Sequence, residues 1–122
     1  MTKIALVEDD EAVSQLYQMK LHKEGYEVVL ARDGAEGVQV VQSTQPDLVL
    51  LDLMLPQLSG DRVLAAIRQQ PWGQNIKVII MTNLTEDEAP KELHELGVSR
   101  FIVKAQYTPT QLMEVIKQVL AE

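Results

Sequence analysis

The sequence predicts an α/β fold in which a doubly wound sheet of five parallel strands carries helices on both faces. Five short apolar runs alternate with five helix-like segments along the chain. The runs are rich in Val, Ile and Leu without polar alternation, as is typical of strands buried on both faces. A length of 122 residues without cysteine fits one domain that needs no disulfide or structural metal, so we expect a single domain over residues 1–122.

The predicted strands cover residues 3–7, 27–31, 47–51, 77–81 and 100–103. Parallel strands require right-handed crossovers, and doubly wound sheets of five strands commonly take the order 2-1-3-4-5. Strands one and three should therefore be neighbours at the centre of the sheet.

The first three helices follow from apolar periodicity and from the residues that stop them. Helix one is expected over about 11–24, with Gly25 as a left-handed C-cap. Helix two should run over about 35–43, and helix three over about 61–70, where Pro71 stops it.

Helix four has conflicting signals. Thr85 and Glu88 resemble a capping box, but Pro90 would then fall inside the helix and clash with a backbone carbonyl. We therefore expect a later start near Asp87, an end at Gly97, and the most mobile element of the fold.

Helix five is the clearest. Thr108 is the expected N-cap and Pro109 the first helical position. The apolar stripe that should pack on the sheet consists of Leu112, Val115, Ile116, Val119 and Leu120.

Acidic residues follow two of these strands. Glu8, Asp9 and Asp10 come after strand one, and Asp52 comes after strand three. If these strands are neighbours, Glu8, Asp9 and Asp52 converge, which is costly unless a proton or a cation intervenes. Mg²⁺ suits such oxygen ligands. Taken singly, Asp9 or Asp10 could instead cap helix one, and Asp52 could be an ordinary loop residue.

A hydroxyl and an ammonium reach the same edge, because strand four leads into Thr82 and strand five into Lys104. Each alone could be a turn residue or half of a surface ion pair. Together with the acids they form the equipment for phosphoryl transfer to a carboxylate, with Asp52 as the best nucleophile.

Composition excludes several other roles. The chain has 11 Lys and Arg against 18 Asp and Glu, a formal charge of −7, which disfavours direct binding to nucleic acid or to an anionic membrane. The N-terminus lacks the apolar core of a signal peptide, and the absence of cysteine agrees with a reducing compartment, so we expect a cytoplasmic protein.

These motifs resemble the receiver domain of two-component response regulators, in particular the single-domain chemotaxis regulator. The resemblance covers essentially the whole chain. The matching segments are residues 6–10, 52–56 with Gly60 after them, 81–82 and 101–104. It implies the flavodoxin-like receiver fold.

The resemblance also implies that Asp52 accepts a phosphoryl group from a phosphohistidine of a sensor histidine kinase or a histidine phosphotransfer protein. Mg²⁺ would be held by Glu8 or Asp9, by Asp52 and by the backbone carbonyl of Met54. The protein would then be a signalling phosphoacceptor that catalyses only its own phosphorylation and dephosphorylation, and not otherwise an enzyme.

In the family, Thr82 and Lys104 would bind the phosphoryl oxygens. A shift of the Thr82 hydroxyl would let Phe101 rotate inward and alter the face formed by helix four, strand five and helix five, where an unknown downstream protein binds. We expect a stand-alone domain, either a monomer or a phosphorylation-dependent dimer. A phosphorylation-independent adaptor with the same fold is the alternative.

Three positions depart from the family pattern. Asn83 stands where a small residue is usual and could slow phosphorylation. Ala105 replaces a cis proline, and since a non-proline cis bond costs about 3 kcal/mol, we predict a trans bond, or else a strained exception, and a loop unlike the usual one. Phe101 replaces tyrosine and lacks its hydroxyl. Apolar Met54 and Leu84 predict a long-lived phosphoryl group.

Other classes fit less well. Hydrolases that form an aspartyl-phosphate usually carry Asp-x-Asp after the first strand, whereas Asp9 is followed directly by Asp10. A flavodoxin-like cofactor carrier needs a phosphate loop there, which three acids would oppose. No P-loop motif is present.

Overall fold

The computed structural model describes residues 1–122 and contains one parallel sheet of five strands in the order β2-β1-β3-β4-β5. The strands are β1 (Lys3–Val7), β2 (Glu27–Ala31), β3 (Leu48–Leu51), β4 (Lys77–Thr82) and β5 (Arg100–Val103). The predicted strand order and doubly wound class are confirmed, and every strand boundary lies within one residue of its prediction.

Four α-helices pack on the sheet. They are α1 (Glu11–Lys23), α2 (Gly34–Thr44), α3 (Gly60–Arg68) and α4 (Pro109–Ala121), the last being the fifth helix of the sequence prediction. The fourth predicted helix is a six-residue 3-10 helix, Lys91–Leu96, called the 91–96 helix below. None of the helices is both long and apolar enough to cross a membrane.

Pro90 explains why the 91–96 helix is short. The amide groups of Glu88 and Ala89 donate to the carbonyl of Thr85, both at 3.1 Å, so a first turn forms just after β4. The turn cannot continue as a helix through Pro90, because the proline ring would clash with the carbonyl of Glu86, four residues earlier. Pro90 instead has an extended backbone (φ −58°, ψ 133°). The helix therefore starts after Pro90 rather than near Asp87 as predicted.

The predicted glycine and capping signals are present at the ends of α1 and the 91–96 helix and at the start of α4. Gly25, just beyond α1, has a φ of +92°, and Gly97, just beyond the 91–96 helix, has a φ of +77°, both in the left-handed region that glycine adopts most readily. Thr108 caps α4 through a reciprocal capping box with Gln111, and Pro109 takes the first helical position.

Successive strand residues point to opposite faces of the sheet, and both faces are covered. α1 and α4 cover one face, with Leu21 and Ile116 fully buried there. α2, α3 and the 91–96 helix cover the other face, where Val63, Ile67 and Leu93 are buried. All four residues of β3 are completely buried, as expected for a central strand.

Arg68, at the end of α3, ties the 91–96 helix to the rest of this layer. Its guanidinium donates hydrogen bonds to the carbonyl oxygens of Leu96 (2.7 Å), Gly73 (2.6 Å) and Gly97 (3.1 Å). Burial lowers the pKa of the Arg68 guanidinium. Two of these charge-assisted contacts, to Leu96 and Gly97, hold the far end of the 91–96 helix.

Candidate functional site

Two acids lie side by side at the carboxyl edge of the sheet, the edge where all five parallel strands end. Glu8 follows β1 and Asp52 follows β3, and these strands pair in register at Val7 and Leu51. Glu8 is 1% exposed and Asp52 is 5% exposed. Carboxylate oxygens of Glu8, Asp9 and Asp52 lie within 4.8 Å of one another. The predicted convergence of these three residues is present.

Backbone contacts fix the position of Asp52. Its amide donates to the carbonyl of Val7 at 3.2 Å, which extends the β1–β3 ladder by one residue. The first turn of α3 packs against it, because a Cβ on Gly60 would lie 2.1 Å from the Asp52 carbonyl oxygen. A glycine is therefore required at this position for α3 to begin beside the acid.

Asp10 has a different role from its neighbours. Its carboxylate accepts a hydrogen bond from the amide of Val13 at 3.0 Å and so caps the N-terminus of α1. Of the two alternatives raised by the sequence, capping is correct for Asp10, whereas Asp9 belongs to the acidic cluster. The Asp10 amide also donates to Glu8 at 3.3 Å.

Lys104, which follows β5, neutralises part of the negative charge of the acidic cluster. Its ammonium donates to Glu8 and, at 2.9 Å, to Asp52, and its side chain is only 13% exposed. Lys104 is thus a largely buried partner of both acids and not half of a surface ion pair. Burial alone would lower the pKa of Lys104, but the hydrogen bonds and charges of Glu8 and Asp52 outweigh burial and raise it.

The surroundings of Glu8 oppose its ionisation. Burial raises the pKa of the Glu8 carboxyl; the hydrogen bond and charge of Lys104 offset part of this rise, and the charge of Asp52 adds to it. When all four groups are ionised, the three carboxylates and the one ammonium give the cluster a net charge of −2. The site therefore favours a second cation.

The donor set fits Mg²⁺. Ligand oxygens at about 2.0–2.1 Å from an octahedral ion lie at most about 4.2 Å apart. The three carboxylates, with oxygens within 4.8 Å of one another, need only a small adjustment to reach this spacing. The Met54 amide donates to Asp52 at 3.1 Å, which places the Met54 backbone directly beside the cluster, while its side chain is exposed.

Thr82 and Phe101 lie on neighbouring strands. Thr82 ends β4 and is fully buried; its hydroxyl accepts a long hydrogen bond (3.4 Å) from the amide of Leu84 and makes none to the three acids or to Lys104. Asn83, next to it, is exposed. Phe101 is partly buried on the α3 side of β5.

The segment after Lys104 is one turn of 3-10 helix, Lys104–Gln106, and every peptide bond in the chain is trans. The predicted trans bond before Ala105 is therefore confirmed.

Two residues near the cluster were not singled out from the sequence. Tyr17 of α1 is buried, which raises the pKa of its phenol, and the charges of Lys104, Glu8 and Asp52 all act on it. Arg32, just after β2, lines a cleft of about 100 Å³ together with Glu8 and Asp9. Tyr17 belongs to the apolar stripe of α1, and Arg32 follows the end of β2. No pattern in the sequence distinguishes either residue from its neighbours.

The family model for the response regulator receiver domain matches residues 4–117. The alkaline phosphatase synthesis transcriptional regulatory protein PhoP of Bacillus subtilis is 34% identical over 97% of this chain and 48% of its own length. The phosphate regulon transcriptional regulatory protein PhoB of Rhizobium meliloti is 36% identical over 98% of this chain and 52% of its own length. The chain thus spans about half the length of these relatives, and its stand-alone status stays a prediction.

The fold is also shared by solved structures. The chemotaxis protein CheY4 of Vibrio cholerae superposes with a TM-score of 0.89 at 27% identity, covering 98% of each chain. A putative response regulator from Chloroflexus aurantiacus gives the same TM-score, 0.89, at 26% identity, covering 99% of this chain and 98% of its own. The chain therefore belongs to the receiver-domain family of two-component response regulators.

Proposed function

We propose that Asp52 accepts a phosphoryl group from a phosphohistidine on a sensor histidine kinase or a histidine phosphotransfer protein, in the presence of Mg²⁺. The observation that carries this proposal is the setting of Asp52, nearly buried at the carboxyl edge, with Lys104 bound to one of its oxygens at 2.9 Å. In this proposal the protein is a signalling phosphoacceptor and catalyses only its own phosphorylation and dephosphorylation.

In the proposed reaction, an Asp52 carboxylate oxygen forms a bond to phosphorus, and the bond from phosphorus to the donor's imidazole nitrogen breaks. The electron pair of that bond stays on the nitrogen, so the donor ring, protonated beforehand at its other nitrogen, leaves as neutral imidazole. The Lys104 ammonium, already at the Asp52 carboxylate, is placed to stabilise charge on the phosphoryl oxygens.

Glu8, Asp9, Asp52 and the backbone carbonyl of Met54 would hold the metal. Bound there, Mg²⁺ would neutralise charge on the acids and on the incoming phosphoryl group.

The switch is proposed to start at Thr82. Its hydroxyl makes only the long hydrogen bond with the Leu84 amide. Turning toward a phosphoryl oxygen on Asp52 would therefore break only one weak hydrogen bond. Leu84 belongs to the segment that leads into the 91–96 helix, and Phe101 packs against the same layer. Their movement would change the face formed by the 91–96 helix, β5 and α4, where a downstream protein binds.

We extend the proposal to the cellular setting. The protein acts in the cytoplasm as a stand-alone domain, a monomer or a phosphorylation-dependent dimer. Apolar Met54 and Leu84 beside the site favour a long-lived phosphoryl group; a dephosphorylation half-life of seconds would contradict this part.

The test is the intact mass of the protein after incubation with acetyl phosphate and Mg²⁺. One added phosphoryl group is expected, and it should be absent in Asp52→Asn and after chelation of the metal. Asp47→Asn is a matched control, because Asp47 lies at the opposite edge of the sheet. Its carboxylate accepts a hydrogen bond from the Lys3 amide there, at 2.8 Å. A folded protein that is never modified, even by histidine kinases, would contradict the proposal and favour a phosphorylation-independent adaptor.

A further inference from the structure

A partly apolar cleft lies between β5 and the segment that connects it to β4. Its volume is about 320 Å³, at the lower end of the range of ligand pockets, so it suits one or two side chains rather than a whole small molecule. Its apolar lining is formed by Ala89, Pro90, Leu93, Val98 and Phe101. We call it the 86–101 cleft.

Acidic side chains dominate the connecting segment that forms one wall of the 86–101 cleft. Glu86 lines the cleft itself, and Asp87 and Glu88 follow it in the first turn; all three are exposed and none forms an ion pair with a Lys or Arg of the chain. Residues 86–95 hold five acids, one lysine and one histidine. This wall therefore presents uncompensated negative charge beside an apolar pocket.

The opposite wall does not cancel that charge. Arg100 lines the cleft, but its guanidinium pairs with Glu122 at 3.0 Å and donates to the carbonyl of Ser99 at 2.8 Å. His94 is the other basic residue of the lining. A positively charged ligand would thus be attracted to Glu86 without having to displace a Lys or Arg already paired with it.

We propose that the 86–101 cleft binds a short segment of a partner protein that inserts a bulky apolar side chain and places Lys or Arg residues beside Glu86, Asp87 and Glu88. The inference deepens the proposed function, since it names the chemistry of the downstream partner. Burial of the apolar side chain in the cleft would stabilise the complex. The charged residues would orient the partner segment and raise its association rate.

A second copy of the chain fits this cleft less well. In a two-fold interface the same patch faces itself, so the uncompensated acids of both copies would lie close together in a protein whose net charge is already −7. Nucleic acid and anionic lipid carry the same sign of charge as Glu86, Asp87 and Glu88 and are disfavoured for that reason.

The probes for the test are two short synthetic peptides with the same central Phe and Leu. One carries Arg and Lys on both sides, and the other carries Glu at those positions. Binding is measured by fluorescence anisotropy of the labelled peptides, and the site is mapped by amide shifts in ¹⁵N spectra. We expect the basic peptide alone to bind, with shifts concentrated in residues 86–101.

Three variants of the protein test whether binding depends on contact at the 86–101 cleft. Glu86→Lys should weaken binding of the basic peptide roughly threefold to tenfold at low salt, and less at high salt. Glu36→Lys, an equal charge change at an exposed position of α2, should leave binding within roughly twofold if contact at the cleft matters more than net charge. Ala89→Leu should weaken binding by filling the cleft without changing charge.

The experiment is repeated with Asp52→Asn, which cannot be phosphorylated at that position, so failure of phosphorylation and failure of docking are separate results. Equal binding of both peptides, no binding of either, or equal effects of Glu86→Lys and Glu36→Lys would overturn the inference. So would sedimentation showing a dimer that Ala89→Leu dissociates, because the occupant would then be a second copy.

Discussion

Replacing Lys104 by methionine removes the positive charge from the acidic cluster while keeping an unbranched side chain of similar length. Lys104 contacts both Glu8 and Asp52, and the three side chains are 13%, 0% and 7% exposed, respectively. The variant therefore leaves two buried carboxylates without their cation. Removing one partner of a buried ion pair typically costs about 3–5 kcal/mol.

Protonation of Glu8 limits this loss. Its ordinary pKa is 4.5, so holding it neutral in the folded state at pH 7 costs at most about 2.5 pKa steps of 1.36 kcal/mol, or about 3.4 kcal/mol. At pH 5 the same limit is about 0.7 kcal/mol. We expect Lys104→Met to lose about 3 kcal/mol at pH 7 and about 0.7 kcal/mol at pH 5.

The sign follows from linkage. A carboxyl whose pKa is raised by folding binds more protons in the folded than in the unfolded state, so folding becomes more favourable as pH falls. Burial already raises the pKa of Glu8, and loss of Lys104 removes what offsets that rise. The difference in unfolding free energy between the parent and the variant should therefore shrink on acidification.

The assay is urea unfolding at pH 7 and pH 5 without metal, followed by circular dichroism and by the fluorescence of Trp72, the single tryptophan. Lys117→Met is the matched control: Lys117 pairs with Glu24 at 3.2 Å, but their side chains are 49% and 35% exposed, so little stability should be lost. A loss for Lys104→Met at pH 7 no larger than that of this control, or a loss that is larger at pH 5 than at pH 7, would refute the reasoning.

Three further substitutions have defined expectations. Gln45→Gly should raise the free energy of unfolding by about 0.5–1 kcal/mol in thermal melts, because Gln45 ends α2 with a φ of +45°. Arg68→Ala should lower it by about 2–4 kcal/mol, since three carbonyls lose their donor, and should speed amide hydrogen exchange in the 91–96 helix. Gly60→Ala should cost about 1–3 kcal/mol in urea unfolding and slow phosphorylation, because its Cβ would meet the Asp52 carbonyl.

Each of these has a result that contradicts it. Destabilisation by Gln45→Gly would show that the left-handed backbone at this helix end is unstrained for glutamine. Exchange in the 91–96 helix that is unchanged in Arg68→Ala would show that the guanidinium does not hold this segment. A fully stable Gly60→Ala with normal phosphorylation would mean that α3 can move away from Asp52.

The sheet and the acidic cluster could be predicted because each depends on short-range patterns. Continuous apolar runs mark strands buried on both faces, and the residue after each run must lie at the carboxyl edge. Glu8, Asp9, Asp52, Thr82 and Lys104 were placed correctly at that edge from their position alone.

The remaining features depend on tertiary contacts that no local pattern records. The competition between the Thr85 turn and Pro90 was visible, but the restart of the helix at Lys91 depends on burial of Leu93 in the core. Two of the three bonds of Arg68, to Leu96 and Gly97, join segments that are far apart in the sequence. Tyr17 looked like an ordinary member of an apolar stripe.

In the proposed switch, the division of the segment after β4 by Pro90 would govern how a displacement of Thr82 is transmitted. A 3-10 helix of six residues is a marginal structure with weaker hydrogen-bond geometry than an α-helix, so it does not move as a rigid rod. With its far end held by Arg68, a pull at the near end is absorbed by breaking and remaking a few backbone hydrogen bonds. The output of the proposed switch would then be a change in the helical content and mobility of the 91–96 helix, more than the translation of an intact helix.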